Sequence, residues 1–93
     1  MTAKIDKEDN TLICPTCGGN NLHHGTVEIY EAFIETTVNG TRTSCRHVKP
    51  GEENHNYRGN SLRINFDCER CRGGKSLLIA QHKGSTYVEW ELL

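Results

Sequence analysis

Cys14-Pro15-Thr16-Cys17-Gly18-Gly19 and Cys68-Glu69-Arg70-Cys71-Arg72-Gly73-Gly74 are the two stretches that decide the fold of this 93-residue chain. Each is a Cys-x-x-Cys pair with trailing glycines, which permit the positive φ that a tight chain reversal needs. Such a reversal turns both sulfurs of a pair toward one point. Together the two pairs supply four thiolates, the full ligand set of a tetrahedral zinc ion.

One Cys-x-x-Cys pair alone would also be compatible with a redox dithiol, which requires a strand before the motif and a helix after it. Gly18-Gly19-Asn20-Asn21 is a poor helix start, and the motif occurs twice. The sequence therefore favours a single structural Zn²⁺; the predicted ligands are Cys14, Cys17, Cys68 and Cys71. A redox dithiol, a disulfide pair and an iron site stay as alternatives. Four sulfur ligands leave no open position on the metal, so the predicted role is structural rather than catalytic.

Length and composition indicate one small domain. Only 34% of the residues are hydrophobic, and a bound metal would offset the small core that this allows. No window is long and apolar enough for a transmembrane helix, and the polar segment 1–10 lacks the apolar region of a secretory signal. Five cysteines arranged as two metal-binding pairs and one extra fit a reducing compartment, so we predict a cytoplasmic location.

Strand patterns account for most of the chain, and no segment has a helical period. Thr26–Val38 favours strand, Asn39-Gly40 predicts a turn, and a short strand is expected at Thr43–Val48. Clear alternation follows in three further strands; they cover Leu62–Cys68, Ser76–His82 and Thr86–Leu92. The prediction is an all-β protein, a small antiparallel sheet clamped by the two knuckles with a long insertion between them. Its expected core is Ile64, Phe66, Val88, Trp90 and one side of the Ser76–His82 strand.

Two knuckles with trailing glycines joined to a β-sheet resemble the zinc-ribbon family over roughly residues 11–35 and 61–93. The second half, Cys68-x-x-Cys71 with Leu77-x-Ile79-x-Gln81-His82-Lys83-Gly84-x-Thr86-Tyr87-x-Glu89-Trp90, is similar to small single-domain bacterial and mobile-element zinc-ribbon proteins of unassigned function. This resemblance implies a fold more than a role. Zinc ribbons often serve transcription, replication or RNA-modification machineries, which implies nucleic acid or a protein of such a system as partner.

The spacing departs from a minimal zinc pattern, because 50 residues separate Cys17 from Cys68 where about 15–20 would suffice. We expect residues 1–10 to be a flexible tail, 11–93 to be the single domain, and 41–60 to be an inserted basic and polar loop. Long loops in compact domains are often functional, so this insertion is the first candidate for a recognition surface.

Charge is unevenly distributed along the chain although the net charge is only −1. Residues 41–75 carry eight basic and four acidic side chains, whereas residues 1–40 are acidic. Basic side chains with an aromatic among them can contact phosphates and stack on a base; the candidates are Arg42, Arg46, Lys49, Tyr57, Arg58, Arg63, Arg70 and Arg72. The sequence slightly favours nucleic-acid binding through this region. The alternative is a protein-binding accessory or inhibitor that uses the insertion or a sheet edge.

No nucleophile–base motif, paired-carboxylate spacing or phosphate loop supports an enzyme, so we predict a non-enzymatic protein without a membrane or small-molecule partner. Cys45 beside Arg46 and His47 is either a reactive thiol or a small, partly buried strand residue, and the second interpretation is favoured. His23 and His24 follow the first knuckle, but the ligand set is complete without them.

Overall fold

The computed structural model describes residues 2–31, 33–47, 60–71 and 74–92. These ranges contain strands and turns and no helix, which confirms the predicted all-β class. The strands are β1 (Ile5–Asp6), β2 (Thr11–Leu12), β3 (Leu22–Glu31), β4 (Ile34–Asn39), β5 (Arg42–His47), β6 (Ser61–Cys68), β7 (Gly74–His82) and β8 (Ser85–Leu92).

Six of the strands form one antiparallel sheet in the order β5-β4-β3-β6-β7-β8. It consists of two three-stranded meanders, β3–β5 and β6–β8, that join through the pairing of β3 with β6. The meander β3–β5 lies between the two knuckles and forms half of the sheet. It includes residues 41–47 of the predicted loop 41–60, and residues 48–59 of that loop lie outside the described residues.

Two-residue turns close the hairpins β4–β5 and β7–β8. In the first, Asn39 pairs with Arg42, so the turn is Gly40-Thr41, one residue later than the predicted Asn39-Gly40 pair, and Gly40 has a φ of 61°. In the second, Lys83 and Gly84 both have positive φ, 50° and 82°. Positive φ at both positions matches the right-handed twist of the flanking strands.

The segment Thr26–Val38 is two strands of a hairpin rather than one extended strand, because the chain reverses after Glu31. The reversal explains the imperfect alternation, since the two strands use residues of opposite parity for the same face. A register shift lies between His24 and Val27. There Asn65 Nδ2 of β6 donates to the carbonyl oxygen of Thr26 at 3.0 Å, so the bulge is held by a side chain.

One face of the sheet is apolar. Across the strands the register aligns one row of its residues, namely Val38, Val27, Ile64, Leu77 and Trp90. The core lies near the knuckles, where Leu77 and Trp90 are buried and the rings of Phe66 and Trp90 meet edge to face at 5.7 Å. Toward the far end the same face is open, with Ile34 40% and Val88 41% exposed. Val88 therefore does not join the predicted core.

The opposite face is polar, but it contains a second small buried cluster. Tyr30, Leu78 and Ala80 are buried there, so both sides of β7 contribute to the core rather than the one predicted. The small side chain of Ala80 leaves room for larger side chains to pack closely on this face of the sheet.

The N-terminal segment, predicted as a flexible tail, pairs instead with the chain that follows it. Ile5–Asp6 pairs with Thr11–Leu12, and Thr2 forms a bridge to Glu89 at the outer edge of β8. The Asp6 carboxylate accepts the backbone N–H of Glu8 at 2.9 Å, which closes the turn of this small hairpin.

Candidate metal site

The two knuckles meet where β3 begins and β6 ends. Cys14 and Cys17 lie in the turn between β2 and β3, Cys68 is the last residue of β6, and Cys71 precedes β7. Leu22 pairs with Cys68, and the N–H of Glu69 donates to the carbonyl oxygen of Asn21 at 3.0 Å. The antiparallel pairing of β3 with β6 thus brings the second knuckle to the first across 50 residues of intervening chain.

The four cysteine sulfurs all lie within 4.8 Å of one another. The Sγ atoms of Cys14 and Cys71 are 3.5 Å apart, and those of Cys17 and Cys68 are 3.6 Å apart. A tetrahedron with metal–sulfur bonds of about 2.3 Å has sulfur–sulfur edges of about 3.8 Å. The sulfurs therefore have the spacing of a four-thiolate metal site, and they are too far apart for a disulfide, which needs about 2.05 Å.

Backbone hydrogen bonds hold the first knuckle in shape. The N–H of Cys14 donates to the carbonyl oxygen of Gly19 at 2.7 Å, and the N–H of Gly18 donates to that of Cys14 at 3.0 Å. Gly18 has a φ of 76°, a conformation that a Cβ disfavours. Gly19 then directs its N–H to the Cys17 sulfur at 3.4 Å. A Cβ on Gly19 would lie 3.1 Å from Cδ of Arg70, so the second knuckle packs closely on the first.

The thiols differ in acidity. Burial by itself raises the pKa of Cys14, but backbone hydrogen bonds from Cys17 and Thr16 outweigh it and lower the pKa from 9.0 to about 6. Hydrogen bonding to the Cys14 sulfur, followed by burial, raises the pKa of Cys71 to about 11. A backbone hydrogen bond from Cys71 also lowers the pKa of Cys68, and the negative charge of the first thiolates opposes ionisation of the remaining thiols. A bound cation removes that opposition, so the donor set fits a metal ion.

Lys75 is the residue of the site that the sequence interpretation missed. It is only 3% exposed, and its Nζ lies 3.4 Å from the Cys71 sulfur. Burial works against its charged form, yet hydrogen bonding to the sulfurs of Cys71 and Cys14 outweighs this and raises the pKa of Lys75. The sequence did contain an indication of this role. Lys75 alternates with Leu77 on β7, so a cationic side chain lies on an apolar strand face next to a knuckle.

No family model, no curated protein and no solved structure matches this chain. The cysteine cluster and its surroundings are therefore the basis for any functional conclusion. In addition, none of the chain that the structure describes forms a helix long and apolar enough to cross a membrane.

Two of the predicted phosphate-binding arginines make ion pairs within the sheet. Arg63 lies between the carboxylates of Glu28 and Glu91, each at 3.1 Å, and its guanidinium carbon is 5.9 Å from the centroid of the Tyr30 ring. Arg46 contacts Glu35 on the neighbouring strand at 2.7 Å. The strand register produces the Arg63–Glu28 and Arg46–Glu35 pairs, because the two residues of each pair lie opposite each other on adjacent strands.

The remaining candidates divide into two groups. Arg42 on β5 and Arg70 in the second knuckle are exposed, and neither has a carboxylate within ion-pair distance among the described residues. The other four lie outside the described residues, namely Lys49, Tyr57, Arg58 and Arg72. In the part that the structure describes, the strand register places Arg42, Arg46 and Arg63 on the same face of the sheet, whereas Arg70 lies in the second knuckle.

His23, His24 and Cys45 are not part of the four-sulfur cluster. His23 contacts the Glu69 carboxylate at 2.5 Å, and His24 is exposed on the same strand. Cys45 is exposed on β5, more so than the partly buried position favoured by the sequence. The Thr36 hydroxyl on the adjacent strand lies 3.7 Å from its sulfur.

Proposed function

We propose that this protein is a non-enzymatic binding module whose fold is stabilised by one zinc ion on Cys14, Cys17, Cys68 and Cys71. The tetrahedral spacing of the four sulfurs at the junction of the two meanders carries the proposal. Thiolate ligands favour zinc over harder divalent metals, and a closed four-sulfur site supplies folding energy rather than a reactive position. Free thiols persist in a reducing compartment, so a cytoplasmic location is part of the proposal.

Metal analysis with matched cysteine variants tests the zinc site. We expect about one zinc per wild-type chain, near-complete loss in Cys14→Ser, and full occupancy in Cys45→Ser, since the Cys45 sulfur lies outside the cluster. A wild-type protein that folds without metal, or that carries an iron cofactor, would contradict the proposal. Equal metal loss in both variants would contradict the assignment of the ligands.

Strand β5 supports recognition of a protein in extended conformation. No other described strand pairs with its outer edge, whereas the opposite edge strand β8 is bridged by Thr2. Every residue from Arg42 to His47 is exposed. An open edge offers backbone donors and acceptors that an added strand can satisfy. We therefore propose that β5 binds an extended segment of a partner protein.

Charge indicates the chemistry of that segment. Strand β5 contains Arg42 and Arg46 and no carboxylate. Opposite charges on adjacent strands stabilise a pair, and like charges destabilise it. Two copies of β5 would bring four arginines along one seam, which disfavours self-association. An acidic partner segment satisfies both the backbone edge and the guanidinium group of Arg42, since Arg46 already pairs with Glu35.

Titration with two designed peptides tests this proposal. The probe is an extended decapeptide of alternating Val and Glu, and its control has Lys in place of Glu. We expect the acidic peptide alone to shift the amide NMR signals of β5, and Arg42→Glu to weaken the effect while Lys83→Glu in the β7–β8 turn does not. Shifts confined to β8, equal binding of both peptides, or concentration-dependent dimerisation through β5 would overturn it.

Nucleic acid is the second candidate partner, supported by the exposed side chains of Arg42 and Arg70. Phosphate contacts make binding steeply salt-dependent. A mobility-shift series at low and moderate salt should show binding that weakens in a double Arg42→Ala and Arg70→Ala variant but not in Lys83→Ala. Absence of a shift at about 50 mM salt, where phosphate contacts remain strong, would reject this candidate and leave the protein partner.

A further inference from the structure

Lys75 occupies an unusual position for a lysine. It is on β7, opposite Phe66 of β6, on the same face as the buried Leu77. Lysine side chains seldom lie fully buried unless their ammonium group is paired. Lys75 is 3% exposed as a residue. Its side chain points to the cysteine cluster, where Nζ lies 3.4 Å from the Cys71 sulfur.

Within the part of the chain that the structure describes, Lys75 lacks the carboxylate that usually accompanies a buried lysine. No carboxylate of the described residues lies within ion-pair distance of Lys75. An unpaired buried charge is strongly destabilising. Among the described residues, the anion-forming group that faces this ammonium group is the Cys71 sulfur, 3.4 Å from Nζ.

We propose that Lys75 belongs to the metal site as an outer-sphere residue that donates a hydrogen bond to Cys71 and offsets the negative charge of the metal-bound cluster. This inference rests on the zinc site proposed above. A divalent metal on four thiolates is doubly negative, and part of this charge is shielded from solvent, because Cys14 and Cys68 are buried whereas Cys71 is half-buried and Cys17 is exposed. One ammonium group halves it.

The hydrogen-bond pattern of the knuckles supports this role. In the first knuckle the Gly19 N–H donates to the second cysteine, Cys17, at 3.4 Å. In the second knuckle Lys75 Nζ donates to the second cysteine, Cys71, at the same distance. The corresponding glycine, Gly73, lies outside the described residues. Hydrogen bonds to coordinating atoms tune metal affinity, and the donor at Cys71 also carries a charge.

The consequence is a coupling between Lys75 and the metal. When the metal leaves, the doubly negative cluster is lost and the ammonium group faces less negative charge. Removal of the lysine therefore weakens the holo state more than the apo state, and metal affinity should fall by about 10- to 100-fold, the range for loss of an outer-sphere partner.

Four variants separate charge from hydrogen bonding. Lys75→Met removes both, Lys75→Gln retains a donor without charge, Lys75→Arg retains both, and Lys83→Met is the exposed-lysine control. Competition with a chromophoric chelator at one neutral pH measures zinc affinity. We expect wild type, Lys75→Arg and Lys83→Met to bind similarly, Lys75→Gln to bind more weakly, and Lys75→Met to bind most weakly.

A spectroscopic readout separates this role from simple packing. In the Co²⁺-substituted protein, loss of a donor to Cys71 raises the energy of the sulfur lone pairs, so the sulfur-to-cobalt charge-transfer band should move to longer wavelength in Lys75→Met. Lys75→Gln should keep most of the wild-type position. If Lys75→Met does not fold with metal, the affinity and spectrum of Lys75→Gln decide the question.

The outcomes keep the two proposals apart. Wild-type protein that binds neither Zn²⁺ nor Co²⁺ overturns the zinc site itself. Wild-type protein that binds metal, with Lys75 variants within about twofold of its affinity and with an unshifted band, overturns only the role of Lys75. Tighter binding by Lys75→Met would also overturn it, because the ammonium group would then act on the metal chiefly by repulsion.

Discussion

At the scale of single residues, charged side chains in this protein are placed by strand register rather than by sequence proximity. Arg63 is the clearest case, since it joins Glu28 of β3 to Glu91 of β8 over the ring of Tyr30. Its side chain is only 17% exposed, so solvent screens these contacts less than at an exposed pair.

Replacement of Arg63 by Ala is expected to lower the free energy of unfolding by about 1–3 kcal/mol, the range for loss of a hydrogen-bonded charged partner at a half-buried site. Arg46→Ala is the matched control, because Arg46 also pairs with a glutamate of the next strand but its side chain is 56% exposed. Its expected cost is about 0–1 kcal/mol. Urea denaturation of the zinc-bound protein measures both, and equal costs would contradict the network.

Tyr30 should ionise at a higher pH than an ordinary tyrosine. Burial, followed by the carboxylates of Glu28 and Glu35, raises the pKa of Tyr30 above its ordinary value of 10.0. Above that value an unfolded chain loses the phenolic proton while the folded chain keeps it. The free energy of unfolding therefore falls as the pH rises through this window. Absorbance titration should show a late-ionising tyrosine fraction in the wild type that disappears in Tyr30→Phe, and a fraction that persists in this variant would contradict the prediction.

At the scale of elements, this chain needs glycine for two different reasons. Gly84 has a φ of 82° and open space around it, so its requirement is conformational. Gly19 has no such φ, but a Cβ there would approach Arg70 at 3.1 Å, so its requirement is steric. Glycine in this chain therefore has both a turn role and a packing role.

Gly84→Ala should destabilise the protein by about 1–2 kcal/mol, the cost of a left-handed conformation for a residue with a Cβ. Gly25→Ala is the control, because a Cβ there meets only the Asn65 carbonyl oxygen at an ordinary 3.8 Å. Thermal unfolding of the zinc-loaded variants should rank wild type and Gly25→Ala above Gly84→Ala. An unchanged midpoint for Gly84→Ala would mean that the β7–β8 turn adjusts without strain.

At the scale of the whole molecule, the sheet has one layer and a small core. Its apolar face is buried near the knuckles and open at the far end, where Ile29 and Ile34 are exposed. Domains usually bury such a face against a second layer. In the described residues the proposed metal site compensates by joining the two meanders at one end of the β3–β6 pair.

Metal removal should therefore unfold both meanders together. Strong chelation of wild-type protein is expected to collapse the amide NMR dispersion of β5 as well as that of the knuckles, although β5 is far from the cysteines in the strand order. The same treatment of Cys45→Ser should give the same result. If β3–β5 kept its dispersion after the metal had left, that meander would fold independently and the metal would stabilise only its surroundings.

The sequence by itself determined the donor set, the strand class and most strand positions. Cys-x-x-Cys spacing and two-residue alternation are local patterns, and local geometry decides how they fold. Only the tertiary structure decided the strand order, the hairpin after Glu31, the pairing of Arg63 with Glu28 and Glu91, and the position of Lys75 beside Cys71. These features depend on which strands become neighbours, and the β3–β6 pairing that decides this joins residues too far apart in the chain for any local pattern to encode.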